Sequence, residues 1–262
     1  MKQQSLKEEL RQFATQQDAL FGAIVQGKKT EHTRGAQTVA NEGSQHLTQH
    51  ADVVESRFEQ HLALVNEEWV KAQSLDVMKQ MISGCQKCPL GKTRNKLVFG
   101  TGNPHADIVV IGEAPGADED ASGEPFVGAA GQLLTKILAA INLGRDDVYI
   151  ANIIKSRPPG NRTPERAEVE QCIPYLYKQL DLIKPKFILA VGLTAALSLL
   201  NRKATMKELR GSVHDYFGIT MVVTYHPAAL LRNPQWKRST WEDVQLLRRL
   251  YDEWKATETA EQ

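Results

Sequence analysis

Between Gly112 and Gly131 the chain reads Gly-Glu-Ala-Pro-Gly-Ala-Asp-Glu-Asp-Ala-Ser-Gly-Glu-Pro-Phe-Val-Gly-Ala-Ala-Gly, five carboxylates and one aromatic ring set among glycines. Carboxylates held in a loop can orient water, move protons or oppose a developing cation. Two other segments carry polar groups of similar promise. Tyr149-Ile-Ala-Asn152 runs through Ile-Ile-Lys-Ser156 into Arg157-Pro-Pro-Gly-Asn161-Arg162-Thr-Pro, an amide followed by basic residues and a rigid turn. Thr224-Tyr-His226-Pro offers an imidazole. The chain has three cysteines, Cys85-Gln-Lys-Cys88 and the distant Cys172. An odd count with a paired C-x-x-C argues against a disulfide framework and for metal or cluster ligation in a reducing compartment.

Something rigid must hold these groups. Ala106 to Ile111, Val148 to Ile154, Phe187 to Val191 and Ile219 to Thr224 are short apolar runs bounded by polar or turn-forming residues, which predicts strands. Helical spacing separates them at Gln132 to Leu143, Pro164 to Ile183 and Thr194 to Leu200, and a last helix is expected over about Trp241 to Trp254. Strands alternating with helices imply right-handed crossovers and a parallel sheet covered on both faces. The glycine-rich loop, Asn152 and His226 then all fall at carboxyl ends of strands, where open α/β sheets bind ligands.

A chain of 262 residues with 42% apolar content holds one core with length to spare. The formal charge of +1 provides no global basic field, so any nucleic-acid contact must come from local clustering. No apolar run is long enough for a membrane span or a signal peptide, and the protein reads as cytoplasmic. Residues 1–75 are polar, with helix-like stretches at Leu6 to Phe21 and Val53 to Leu75. This part reads as a partly helical or disordered extension whose Leu6, Leu10, Phe13 and Leu20 could form a docking face for a protein partner. The catalytic domain is expected over residues 76–255, followed by a disordered tail over 256–262.

Over roughly residues 76–252 the sequence resembles the uracil-DNA glycosylase superfamily, specifically its iron-sulfur class, family 4. The matching pieces are Cys85-x-x-Cys88-Pro-Leu, Gly112-Glu-Ala-Pro-Gly with Glu119-Asp120 and Pro125-Phe126-Val-Gly, Asn152 with Arg157-Pro-Pro-Gly-Asn-Arg-Thr-Pro, Cys172-x-Pro-Tyr-Leu, and His226-Pro. The resemblance implies a three-layer α/β/α fold around a central, mainly parallel four-stranded sheet. It also implies a monomeric hydrolase that removes flipped-out uracil from DNA at the start of base excision repair.

What the resemblance implies can be asked of each residue. Phe126 would stack on the base, and Asn152 would read the N3 hydrogen and O4 of uracil, a pattern that cytosine reverses. His226 would stabilise charge at O2, and Glu113 would place water beneath C1′, with Glu119 sharing that work or lining the pocket near C5. Gly112, Ala114 and Asp118 complete the expected uracil pocket. Leu230 or Leu231, with Leu230 favoured, would fill the gap left by the base. Arg157, Arg162 and Arg232 would hold phosphates. A weaker alternative is a glycosylase-fold DNA-binding or replication-associated module with weak or lost catalysis.

Three departures stand out. Ala114 and Gly116 replace the Asp and Tyr of the superfamily's best-known branch, which fits the iron-sulfur class but leaves thymine exclusion unassigned. Four cysteines hold a [4Fe-4S] cluster in that class; here Cys85, Cys88 and Cys172 are present, but Ser156 stands where the third of the four cysteines should be. A hydroxyl is a poor replacement for a thiolate on iron. A cluster completed by Ser156 or an outside ligand, a three-iron cluster, and no cluster at all are the possible outcomes.

Overall fold

The computed structural model describes residues 58–261. The expected helix at Leu6 to Phe21 and its docking face lie outside the described residues.

Six strands form one sheet: β1 (Thr101–Gly102), β2 (Ile108–Gly112), β3 (Tyr149–Asn152), β4 (Phe187–Val191), β5 (Val213–Tyr216) and β6 (Ile219–Thr224), in the order β1-β3-β2-β4-β6-β5. The four central strands β3, β2, β4 and β6 are parallel, as expected. The two edges add antiparallel strands that the sequence reading omits. β1 is only Thr-Gly, too short to carry a pattern. β5 joins β6 through Phe217-Gly218, both at positive φ (53° and 80°), the backbone of a tight two-residue hairpin. Phenylalanine there gives none of the usual Asn-Gly signal.

After β2 the chain crosses through α3 (Ala117–Ser122) and α4 (Ala129–Ala140) to β3 on one side, then returns over β2 through α5 (Arg166–Ile183) to β4 on the other. Both crossovers can be right-handed only if α4 and α5 lie on opposite faces. They do. Val110, Ile150 and Leu189 pack with Leu134 and Leu138 of α4 and with Val244 and Leu247 of α9 (Lys237–Glu261). Val109, Ala151 and Ile188 pack with Leu176 and Leu180 of α5, with Ala195 and Ala196 of α6 (Leu193–Leu200), and with Met78 and Ile82 of α1 (Leu75–Ile82). Successive strand residues alternate between these two cores, as pleating requires.

Two boundaries shift. Phe58, Leu62, Trp69 and Ala72 are buried in the α5-side core, so the globular unit starts well before residue 76. Phe58 sits amid the rings of Tyr177, Tyr216 and Phe217 at 5.2 to 6.3 Å. At the other end α9 continues to Glu261 rather than giving way to a tail at 256. Among the described residues no helix is long and apolar enough to cross a membrane.

Candidate active site

A cavity of about 370 Å³ opens at the carboxyl ends of the parallel strands, lined among others by Glu113, Ala114, Phe126, Asn152, His226 and Arg232. Its floor follows from the pleat. Gly112 and Asn152 are register partners at the ends of β2 and β3. A Cβ on Gly112 would lie 2.5 Å from Asn152 Oδ1 and 2.6 Å from Phe126 Cζ, so only glycine lets the amide and the ring meet there. Asn152 is buried, and its Oδ1 is one of three buried side-chain polar atoms without a hydrogen-bond partner among the described residues. A buried acceptor left unpaired is costly, of order 1–3 kcal/mol, unless a ligand supplies the donor.

Phe126 is 6% exposed, and its ring centroid lies 5.6 Å from that of His226. β4 is followed by Gly192 (φ 102°), whose missing side chain leaves room for the imidazole; a Cβ there would stand 3.1 Å from His226 Cβ. His226 also caps helix α8 (Pro227–Arg232), its Nδ1 accepting from the Ala228 N–H at 3.2 Å. Nδ1 is therefore unprotonated, and the neutral ring carries its hydrogen on Nε2. Burial, reinforced by the charge of Arg232, pushes the imidazole down to about 4.

The loop carboxylates have separate tasks. Glu113 lines the cavity. Glu119 also borders it, but its carboxylate is committed to the backbone N–H groups of Gly116, Val127 and Gly128 at 2.9–3.0 Å. It shapes the loop, which corrects the expectation of a part in water activation. Asp118 is exposed and lies over Gly128, outside the cavity lining and so apart from the expected uracil pocket. Asp120 is buried and accepts from the backbone and side-chain amides of Asn95.

Two DNA-contact expectations change. Leu230 is 1% exposed and belongs to the α4-side core, whereas Leu231 is 49% exposed. Neighbouring residues on a helix point about 100° apart, so of the two only Leu231 faces solvent. Arg162 forms a two-pronged pair with the buried Glu168 at 2.6 and 2.8 Å and is bound into the fold rather than held ready for phosphate. Arg232 is exposed at the cavity, and Arg157 Nε donates to Asn161 Oδ1 at 2.8 Å.

On the α5 side of the sheet, Cys85, Cys88, Cys172 and Ser156 line one tight cavity. Tyr175 donates to Cys85 Sγ at 3.0 Å, and the Lys155 N–H to Cys172 Sγ at 3.3 Å. Burial pushes the Cys172 thiol up to about 11. Ser156 is buried, and its Oγ accepts from Arg94 at 3.0 Å. Among the described residues no three Cys, His, Asp or Glu side chains close on a single-ion site. The donor set suits an iron-sulfur cluster at three corners; at the fourth, a hydroxyl already engaged by a guanidinium does not.

Three residues that the sequence reading passes over matter here. Lys155 is fully buried, its Nζ donating to the carbonyl of Asn152 at 2.8 Å and to Gln179 Oε1 at 2.6 Å, and burial pulls it down to about 8. A lysine directly after the run Val148 to Ile154 was the available signal. Arg94 and Arg145 carried none, since each sits in a polar stretch.

The sequence model of the uracil DNA glycosylase superfamily matches residues 99–246. The chain belongs to this superfamily. Its curated relatives place it in the type-4 class. It is 44% identical over 178 residues to the type-4 uracil-DNA glycosylase of Pyrobaculum aerophilum, covering 65% of this chain and 91% of that one. With the type-4 enzyme of Archaeoglobus fulgidus it shares 47% over 171 residues, 62% of this chain and 86% of the relative. The type-4 enzyme of Sulfurisphaera tokodaii matches at 41% over 186 residues, 68% and 84% of the two chains. The superfamily match spans both cavity-lining loops, Asn152 and His226, whereas Phe58 to Ala72 lie before it.

Proposed function

We propose that this protein is a uracil-DNA glycosylase, breaking the C1′–N1 bond of a flipped-out deoxyuridine to release uracil and leave an abasic site for base excision repair. One observation carries the reading: the buried, unpartnered Oδ1 of Asn152, set beside the Phe126 ring at the floor of a cavity with room for a base. Uracil N3–H supplies the missing donor. Cytosine cannot, because its N3 is an acceptor.

As the glycosidic bond stretches, charge grows at uracil O2 and the sugar becomes cationic. The Nε2–H of neutral His226 donates to O2 and strengthens that bond as the charge develops, which favours the transition state over the ground state. Glu113 opposes the sugar cation and orients the water whose oxygen adds to C1′; the water's proton is left for the departing base. Phe126 holds the base flat. Leu231 occupies the vacated stack, with Arg232 and Arg157 near the phosphates.

Cys85, Cys88 and Cys172 would hold an iron-sulfur cluster at three corners. Bound there, it would tie the Cys85 loop, the strand β3 exit and α5 together and would supply no chemistry at the sugar. We further place the protein in the cytoplasm as a monomer. A duplex carrying one uracil, treated with the protein and then alkali, tests the activity: strand scission at the uracil is expected. Intact strands from protein of verified fold would refute it.

A further inference from the structure

The peptide that carries Phe126 is held in an unfavourable shape. Its φ of 55° is left-handed, a conformation that costs a non-glycine residue on the order of 1 kcal/mol or more. Something outside Phe126 must hold it. On the N–H side of this turn, Glu119 accepts from Val127 and Gly128. On the C=O side, Arg145 donates from Nη2 to the carbonyl of Pro125 at 2.9 Å and from Nη1 to that of Phe126 at 3.1 Å. Gly131 of α4 closes the third side, since a Cβ there would fall 1.8 Å from Phe126 O.

Arg145 is the member of this clamp that comes from elsewhere in the chain. It follows α4, after Leu143-Gly144, and its third side-chain hydrogen bond goes to Thr135 Oγ1 of α4 at 3.5 Å, a residue outside the cavity lining. Two adjacent carbonyls facing one way suit the rigid fork of a guanidinium, and an ammonium cannot engage both with the same geometry. We infer that Arg145 is a positioning residue for uracil: it fixes the strained Phe126 peptide, and thereby the plane on which the base stacks beside His226. The inference rests on the glycosylase reading above. Because the residue acts only through Phe126, its effect should appear in recognition of the base and not in the grip on DNA.

The experiment compares wild type, Arg145→Ala, Arg145→Lys, Phe126→Ala and the double alanine variant. Two affinities are read, inhibition by free uracil and binding to a duplex with an abasic site. Arg145→Ala is expected to weaken uracil inhibition by about tenfold or more, since small misplacements of a binding group are costly, while abasic-duplex affinity stays within about twofold. Arg145→Lys should recover part of the loss, and it also carries the comparison if the alanine variant folds poorly. In the Phe126→Ala background the arginine substitution should add nothing, as expected of groups acting as a unit. Uracil inhibition equal to wild type in a folded Arg145→Ala protein overturns the inference. So does an undiminished loss in the Phe126→Ala background, or an equal loss of both affinities. Wild-type protein that releases no uracil overturns the functional reading and this inference with it, which separates the two failures.

Discussion

Lys155 joins the two candidate sites: its ammonium donates to the Asn152 carbonyl at 2.8 Å, and its backbone N–H to Cys172 Sγ at 3.3 Å. Lys155→Met keeps the length but leaves the Asn152 carbonyl and Gln179 Oε1 without their donor. A stability loss of about 1–3 kcal/mol is expected, reduced by relief of the buried charge. The kcat/KM on uracil-DNA should fall about tenfold or more as Asn152 loses its support, because each tenfold corresponds to roughly 1.4 kcal/mol. Unchanged kcat/KM in a folded variant would show that Asn152 needs no such anchor.

Asn152 faces the opposite balance. Replacing it with alanine removes an unpaired buried acceptor beside a cavity, so the melting temperature should hold or rise. Uracil excision should drop by about 10²-fold or more, the scale seen when a positioned polar group is lost from a transition state. A variant both inactive and clearly less stable would point to a structural amide instead.

His226 sets a pH signature. The folded imidazole titrates near 4 and the unfolded one near 6.5, so between these values the unfolded chain binds more protons. The contribution of this residue to stability is therefore complete above about 6.5 and is lost as pH falls toward 4, amounting to about 3 kcal/mol at most. Excision by wild type should persist down through pH 6.5 and fail only as the imidazole takes its proton near 4. An acid limb centred at 6.5 that disappears in His226→Gln would contradict the neutral-imidazole assignment.

Leu230 and Leu231 should separate stability from base flipping. Leu230→Ala is expected to cost about 2–5 kcal/mol from the core, measured by denaturant unfolding. Leu231→Ala should leave unfolding unchanged and slow excision from duplex more than from single-stranded DNA. Equal slowing on both substrates would argue against a wedge.

At the cysteine cavity, anaerobically purified protein is expected to be brown. Ser156→Cys should raise bound iron toward the four per cluster of a complete thiolate set. Colourless, iron-free and folded protein from both chains would remove the cluster from the account.

The central sheet was legible because β2, β3, β4 and β6 are buried on both faces and read as continuous apolar runs. Asn152, His226, Phe126 and Glu113 were legible because strand ends are predictable and their motifs are ordered. Sequence does not give rotation about a helix, so it does not tell that Leu230 is buried and Leu231 exposed. Nor does it give partners: Arg162 and Glu119 look like free charges until Glu168 and three backbone N–H groups claim them. Arg145 and Lys155 act on backbone carbonyls, which leave no trace in a residue pattern.

The packing of Phe58 against Tyr177, Tyr216 and Phe217 bears on how the protein can be handled. A fragment cut at residue 76, where the family motifs begin to gather, would strip Phe58, Leu62 and Trp69 from α5 and the β5–β6 hairpin. The rings left behind would form a contiguous greasy patch of the kind that drives self-association. Such a fragment would carry every residue assigned to the uracil pocket and still precipitate, and its insolubility would say nothing about catalysis.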